Sequence, residues 1–173
     1  MDKRKRNWIV FFVILALLIG RITYKKITNS DAYLEWKSQR VREDIIEFIT
    51  EDDSQWQSVA EAARKEAQTR ENKTLYKSEY QTEFPTELDG QLNRMIANSP
   101  VKFDGVLVGT GVPLPHYPED CCVFRYTIEF KWGVYAWVDL VYAPDCDLQS
   151  HRAFSEPGAH IVGDWYVIRH YGY

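Results

Sequence analysis

Glycine and proline are scarce in this chain, which has nine Gly and seven Pro among 173 residues. Collagen-like and low-complexity chains need far more of both, so these classes are excluded. No internal repeat is visible. Aromatic residues, by contrast, make up 14% of the sequence, and this bulky apolar surface excludes disorder over the whole length. The length suits one domain of ordinary size.

The motifs that mark common catalytic and ligand sites are also missing. There is no G-x-S-x-G or papain-like signature, and there is no C-x2-C pair to make a zinc motif specific. Gly105, Gly109 and Gly111 are followed neither by a helix nor by Lys-Ser/Thr, so they form no phosphate-binding loop. We expect these glycines to serve turns and bulges at a strand end. Motifs alone therefore assign no reaction.

Positive charge is concentrated near the N-terminus. Residues 1–26 carry a net charge of +6, whereas the whole chain carries −4, so residues 27–173 carry −10. Because phosphate binding needs clustered cations, such an acidic body argues against a nucleic-acid partner. It favours solubility and basic partners.

An apolar run follows the first cations. Trp8–Ile19 comprises twelve residues without a polar side chain. This is the length of a signal-peptide core and is shorter than the roughly 20 residues needed to cross a bilayer. The segment 7–24 reaches that length if Arg21 extends its charge to the lipid headgroups, with an aromatic residue anchoring each end. We therefore predict a transmembrane signal-anchor at 7–24, preceded by a basic flank at 1–6.

The flanks of this segment bear on cleavage and orientation. No A-x-A site follows the run, which favours an uncleaved anchor over a cleaved signal peptide, and no Cys follows it directly, which excludes a bacterial lipoprotein. Four cations precede the apolar run Trp8–Ile19 and three follow it. This small bias predicts a cytoplasmic N-terminus and a C-terminal domain outside, in a periplasmic or extracellular space.

Helical periodicity extends over about residues 31–98. Helices are predicted at 30–50, at about 50–70 and at 85–98, and the polar segment 71–84 is expected to connect the last two. The apolar stripe of the second helix consists of Trp56, Val59, Ala60, Ala63 and Ala67.

The period changes to two over about residues 101–173, which predicts a mainly antiparallel sheet of about four strands. The strands are predicted at 101–108, 121–131, 134–142 and 161–169. In the middle pair, a three-residue loop at 131–133 pairs Phe130 with Val134 and gives one continuous apolar face. The opposite face then places Arg125 beside Asp139 as a cross-strand ion pair.

The resulting fold class is α+β. It comprises an N-terminal transmembrane helix and, at 30–173, an extracytoplasmic domain of two to three further helices packed on one face of the sheet.

Cysteine and histidine residues are predicted to gather at the open end of the hairpin. One interpretation is a disulfide from Cys146 to Cys121 or Cys122. A second is a tetrahedral zinc site formed by His116, Cys121, Cys146 and His151. A third is a cysteine nucleophile with one of these histidines as its base. Both histidines are also consistent with ordinary loop residues.

Two aromatic residues, Tyr135 and Trp137, fall on the hairpin face opposite the apolar one. Without a covering layer they would form an exposed patch suited to a protein partner or a sugar. The alternative is that loops cover this face.

Three functional hypotheses follow. The leading one is a membrane-anchored, non-enzymatic domain that needs no cofactor and acts by protein–protein contact, such as an accessory or assembly subunit of an envelope complex. Its partners would be the bilayer, through 7–24, and a protein at the membrane. The second is a small hydrolase or zinc-dependent protein that uses the His116/Cys121/Cys146/His151 group. The third is a ligand-binding module with a cystatin-like or NTF2-like sheet, which a deep apolar pocket would favour and a filled core would oppose.

Overall fold

The structure is a computed structural model that describes most of the chain. Within the described residues, four helices and a six-stranded antiparallel sheet confirm the α+β class. Two compact units, Met1–Lys37 and Ser38–Tyr173, divide the chain. The described residues are 3–28, 31–71, 73–78, 80–109, 117, 121–131, 134–144, 146 and 159–172.

The first unit contains helix α1 (Lys3–Thr28) and the first turns of helix α2 (Asp31–Glu51). The large apolar side chains of α1 between Trp8 and Ile22 are 38–68% exposed. Among the residues that the structure describes, no helix has both the length and the apolar character needed to span a bilayer. The transmembrane segment at 7–24 stays a prediction.

The helices of the second unit begin and end close to the predicted positions. Besides the rest of α2, they are α3 (Ser54–Gln68) and α4 (Thr86–Asn98). The Asp52 carboxylate accepts hydrogen bonds from the backbone N–H and the hydroxyl of Ser54, which satisfies a free donor at the start of α3. All five residues of the predicted α3 stripe are buried.

The sheet has two more strands than predicted. In spatial order its strands are β1 (Thr74–Ser78), β2 (Gly105–Gly109), β3 (Cys122–Lys131), β4 (Val134–Tyr142), β6 (Trp165–Gly172) and β5 (His160–Val162). The expectation that 71–84 only connects two helices is wrong, because β1 lies there and pairs with β2. The sequence signal was weak since β1 is an edge strand in which Leu75 alone is buried.

Two further strand boundaries differ from the prediction. The strand expected at 101–108 begins only at Gly105. The single strand expected at 161–169 is two strands, because the chain turns at Gly163, whose φ of +53° is in the left-handed region that favours glycine.

The predicted register of the β3–β4 hairpin is confirmed over most of its length. The observed pairs include Cys122 with Tyr142, Phe124 with Leu140, Arg125 with Asp139, Tyr126 with Val138, and Ile128 with Ala136. The predicted pairing of Phe130 with Val134 is wrong, because Lys131 pairs with Val134 after a register shift. A bulge takes up the extra residue and leaves a two-residue connection between the strands.

Aromatic rings fill the core between the sheet and the helices. The Phe124 ring centroid lies 5.0 Å from that of Trp56 on α3 and 6.3 Å from that of Trp165 on β6. Trp165 in turn lies 4.9 Å from Tyr142, and all three strand residues are at most 1% exposed. This filled core opposes the hypothesis of a ligand pocket in the concave face of the sheet.

The opposite sheet face carries a second apolar cluster. Tyr117 from the β2–β3 connection and Cys146 from beyond β4 pack against it. Its buried members are Leu107, Cys121, Val123, Val141, Ala143, Tyr166 and Ile168. Segments outside the sheet therefore cover part of this face.

Candidate functional site

A group of polar side chains lies on the second sheet face, beside the apolar cluster. Arg125 on β3 is directly opposite Asp139 on β4, and His170 on β6 is directly opposite Trp137 on β4. Tyr117 reaches the same place from the β2–β3 connection. We call these five residues the Asp139 cluster. Trp137 and Asp139 share a face because they are two positions apart on β4. Arg125 and His170 lie on the same face because they are directly opposite these two residues on the neighbouring strands.

Asp139 is the centre of the cluster, and its side chain is fully buried. Arg125 Nε donates to Oδ1 and Nη2 donates to Oδ2, each at 2.9 Å. This bidentate geometry offsets much of the cost of burying both charges. Burial alone would raise the pKa of Asp139, but hydrogen bonds from His170 and Arg125, with their charges, hold it below its ordinary value. Asp139 therefore stays ionised near neutral pH.

The Tyr117 hydroxyl joins Asp139 to His170. Its oxygen lies 2.6 Å from Asp139 Oδ2 and 2.7 Å from His170 Nε2. An ionised carboxylate can only accept, and tyrosine has one proton to give, so Tyr117 donates to Asp139. It follows that His170 Nε2 carries a proton and donates to the tyrosine oxygen. Burial and the Asp139 charge raise the pKa of Tyr117 well above its ordinary value, so it stays protonated.

Trp137 contacts the guanidinium group of Arg125 and the ring of His170. The guanidinium carbon of Arg125 lies 5.3 Å from the centre of the Trp137 ring, and the His170 ring stacks on it at 5.0 Å with an angle of 17°. Its indole Nε1 is buried and has no hydrogen-bond partner within the described part of the chain. Trp137 is half-buried rather than fully exposed. Tyr135, the other predicted aromatic, pairs through its backbone with Gly172. Its side chain is outside the described part of the structure.

Hydrogen bonds hold the side chains of the Asp139 cluster in fixed positions, and none of its five residues is an activated nucleophile. Tyr117 and Asp139 are locked in their protonated and ionised states, and each is a hydrogen-bond partner of the other. Arg125 and His170 keep 20% and 15% of their side chains exposed. The arrangement therefore presents a rigid Arg125–Trp137–His170 edge to the surroundings.

The three cysteines divide between the two sheet faces. Cys122 points into the helix-side core, whereas Cys121 belongs to the second apolar cluster, against which Cys146 packs. Cys121 and Cys122 are free thiols in the structure. Burial raises the pKa of Cys121 to about 12 and that of Cys122 well above its ordinary value. Both thiols are therefore protonated and weakly nucleophilic near neutral pH.

The zinc hypothesis depends on residues that the structure describes only in part. His116 and His151 lie outside the described residues. Within the described ranges, no group of three His, Cys, Asp or Glu side chains could hold a metal ion. The zinc site and the Cys–His pair stay predictions.

We expect oxidation to join Cys121 to Cys146 and to leave Cys122 as a thiol. Cys122 lies on the opposite face of the sheet from Cys146, so the sheet itself separates these two sulfur atoms. Peptide mapping by mass spectrometry, after mild oxidation and alkylation without reduction, checks this expectation. A Cys122→Ser variant should give the same cross-linked peptide, and a Cys122–Cys146 peptide from the wild type would contradict it.

Sequence reasoning found part of the cluster. It predicted the Arg125–Asp139 pair and singled out Trp137, but it did not identify Tyr117 or His170. The position of His170 follows only from the pairing of β4 with β6, and Tyr117 is placed by a connection without periodicity. No protein-family model, curated protein or solved structure matches this chain. Function therefore rests on the residues and geometry of the chain itself.

Proposed function

We propose that this protein is a membrane-anchored, non-enzymatic α+β domain that acts by protein–protein contact on the outer side of a membrane. The observation that carries the proposal is the exposure of the apolar side chains of α1. The second unit would be the contact domain, and its α+β fold is compatible with a role as an accessory or assembly subunit.

The apolar surface of α1 supports the proposed membrane anchor. Trp8–Ile19 covers about three helical turns, so apolar side chains occupy its whole circumference. A helix that is apolar on every face is stable only in an apolar environment. Transferring the exposed half of each of these side chains from water into hydrocarbon stabilises membrane binding by about 1 kcal/mol. The sum for the run is on the order of 10 kcal/mol.

The length of the apolar run determines how α1 would sit in a bilayer. Twelve residues measure about 18 Å along a helix, against a hydrocarbon thickness of about 30 Å. Segment 7–24 would match this thickness only with Arg21 directed to the headgroups and with local thinning of the bilayer. The cations at both ends of the segment support this placement.

The partly exposed Arg125–Trp137–His170 edge of the Asp139 cluster supports a contact role for the second unit. Tryptophan and arginine dominate the energetics of protein interfaces, and Trp137 and Arg125 are held in fixed positions before any partner arrives. Confinement to a membrane would raise the effective concentration of this edge near a membrane partner. The hydrolase alternative has less support, because burial keeps Cys121 protonated.

Photo-cross-linking tests the contact role in cells. Thr127 lies on β3 directly opposite Trp137, on the same sheet face, whereas Tyr80 is 90% exposed elsewhere on the domain. We expect a photoreactive residue at Thr127 to give one discrete protein adduct, and the same residue at Tyr80 to give none. Adducts of equal yield from both positions, or no protein adduct from Thr127, would overturn the proposal.

A further inference from the structure

A cavity of about 350 Å³ opens beside α4, away from the Asp139 cluster. The C-terminal half of α4 forms one wall, and the end of β1 and the beginning of β2 form the other. Its lining residues are Lys77, Ser78, Asn93, Ile96, Lys102, Phe103, Asp104, Gly105 and Val106. The volume lies at the lower end of the range for small-molecule sites, which is roughly 300–1,000 Å³.

The cavity has an apolar floor and a polar rim. Phe103 and Val106 are buried at the floor, and the half-buried Ile96 extends the apolar surface along α4. Asn93 and Lys102 are exposed at the rim. A ligand that fits both parts must have an apolar face and a polar edge.

The charges around the cavity balance. Lys77 Nζ lies 2.7 Å from Asp89 Oδ1, so a carboxylate behind the wall neutralises this lysine. The exposed Lys102 is followed by Asp104, which also lines the cavity and whose Oδ2 accepts the backbone N–H of Thr127. The two lysines that line the cavity are matched in number by Asp104 in the lining and Asp89 behind it, so the formal charges of this wall cancel.

The rim offers both hydrogen-bond donors and hydrogen-bond acceptors. Lys77 and Lys102 can only donate, the Asp104 carboxylate can only accept, and Ser78 and Asn93 can do both. Hydroxyl groups are the ligand groups that meet such a mixed set, since each donates one hydrogen bond and accepts others. Asp89 fixes the orientation of two of these side chains, because it accepts from Lys77 and, at 3.0 Å, from Asn93 Nδ2.

We propose that this cavity binds one ring of an uncharged sugar. The C–H face of a pyranose ring would lie on the apolar floor, and its hydroxyl groups would meet the polar rim. The ring can come from a free monosaccharide or from a glycan chain, and both share this chemistry.

Titration calorimetry with the full chain in a detergent that contains no sugar tests the proposal. N-acetyl-D-glucosamine, D-glucose and the N-acetyl-D-glucosamine tetramer serve as probes. We expect saturable binding of at least one of them, weakened about tenfold by Lys102→Ala and by Ser78→Ala and abolished by Ile96→Trp, which fills the cavity. Tighter binding of the tetramer than of the monomer would identify a glycan chain as the source of the ring, and equal binding a free sugar.

The matched control is Arg94→Ala, which removes an exposed charge from α4 without touching the cavity. Its affinity should equal that of the wild type, and circular dichroism should show all variants folded. Absence of binding by every probe would overturn the proposal, as would equal affinity in Lys102→Ala and the wild type. Tighter binding of D-glucose 6-phosphate or L-glutamate than of the neutral sugars would also overturn it.

Discussion

Replacement of Asp139 by alanine is expected to lower the free energy of unfolding by about 3–5 kcal/mol. The substitution leaves the guanidinium of Arg125, which is 20% exposed, without the carboxylate that it meets at 2.9 Å through two nitrogens. It also removes the acceptor of the Tyr117 hydroxyl. Urea unfolding of the full chain, followed by tryptophan fluorescence, measures the loss.

A double variant separates the cost of the unpaired charge from the cost of the lost hydrogen bonds. Asp139→Leu combined with Arg125→Met removes both charges together and replaces them with apolar side chains of similar size. We expect this variant to be more stable than Asp139→Ala, because an apolar pair leaves no unpaired charge inside the protein. A loss below about 1 kcal/mol for Asp139→Ala would show that the pair behaves like an exposed salt bridge.

The same residue gives a pH dependence of known sign. The pKa of Asp139 is lower in the folded protein than in the unfolded chain, where it is close to the ordinary value of about 3.9. Its ionisation therefore stabilises the fold fully above that value, and this contribution is lost as the pH falls through the folded pKa. The stability difference between the wild type and Asp139→Ala should narrow below about pH 4.

Periodicity predicted the elements that bury a regular face. The α3 stripe and most of the β3–β4 register could be predicted, because helical spacing and strict alternation leave few other arrangements. Strand β1 could not be predicted, since an edge strand with one buried residue has no apolar pattern to detect. Its place in the sheet comes from pairing with β2, a partner about 30 positions away along the chain.

The candidate site shows the same division. Arg125 and Asp139 face each other within one hairpin, so local register was enough to pair them. His170 and Tyr117 join them through a strand order and a connection that no local pattern encodes. The burial of the Trp137 indole Nε1 likewise depends on tertiary neighbours. Local sequence thus predicts the ion pair, and only the three-dimensional structure reveals the network around it.

Two lysines at the middle of α1 are expected to release the protein from membranes. Ile14 and Leu17 are 52% and 68% exposed and lie one turn apart on the same side of the helix. A lysine at the centre of a membrane-spanning helix costs about 2.5–3.5 kcal/mol, so Ile14→Lys with Leu17→Lys should cost about 5–7 kcal/mol. We expect the wild type to stay in the membrane pellet after alkaline extraction and the double variant to move to the supernatant.

The matched control places the same two charges on the second unit, at the exposed positions Gln55 and Ser58 of α3. Gln55→Lys with Ser58→Lys should leave the protein in the pellet, because these side chains are exposed to water on whichever side of the membrane the domain lies. Protease added to intact cells, or to spheroplasts where an outer membrane is present, should remove the domain of the wild type, as the proposed orientation requires. Extraction of the wild type into the supernatant would refute the anchor. Protection of a pelleted wild-type domain until lysis would instead retain the anchor and reverse its orientation, because the barrier to the protease is then the same bilayer that holds α1.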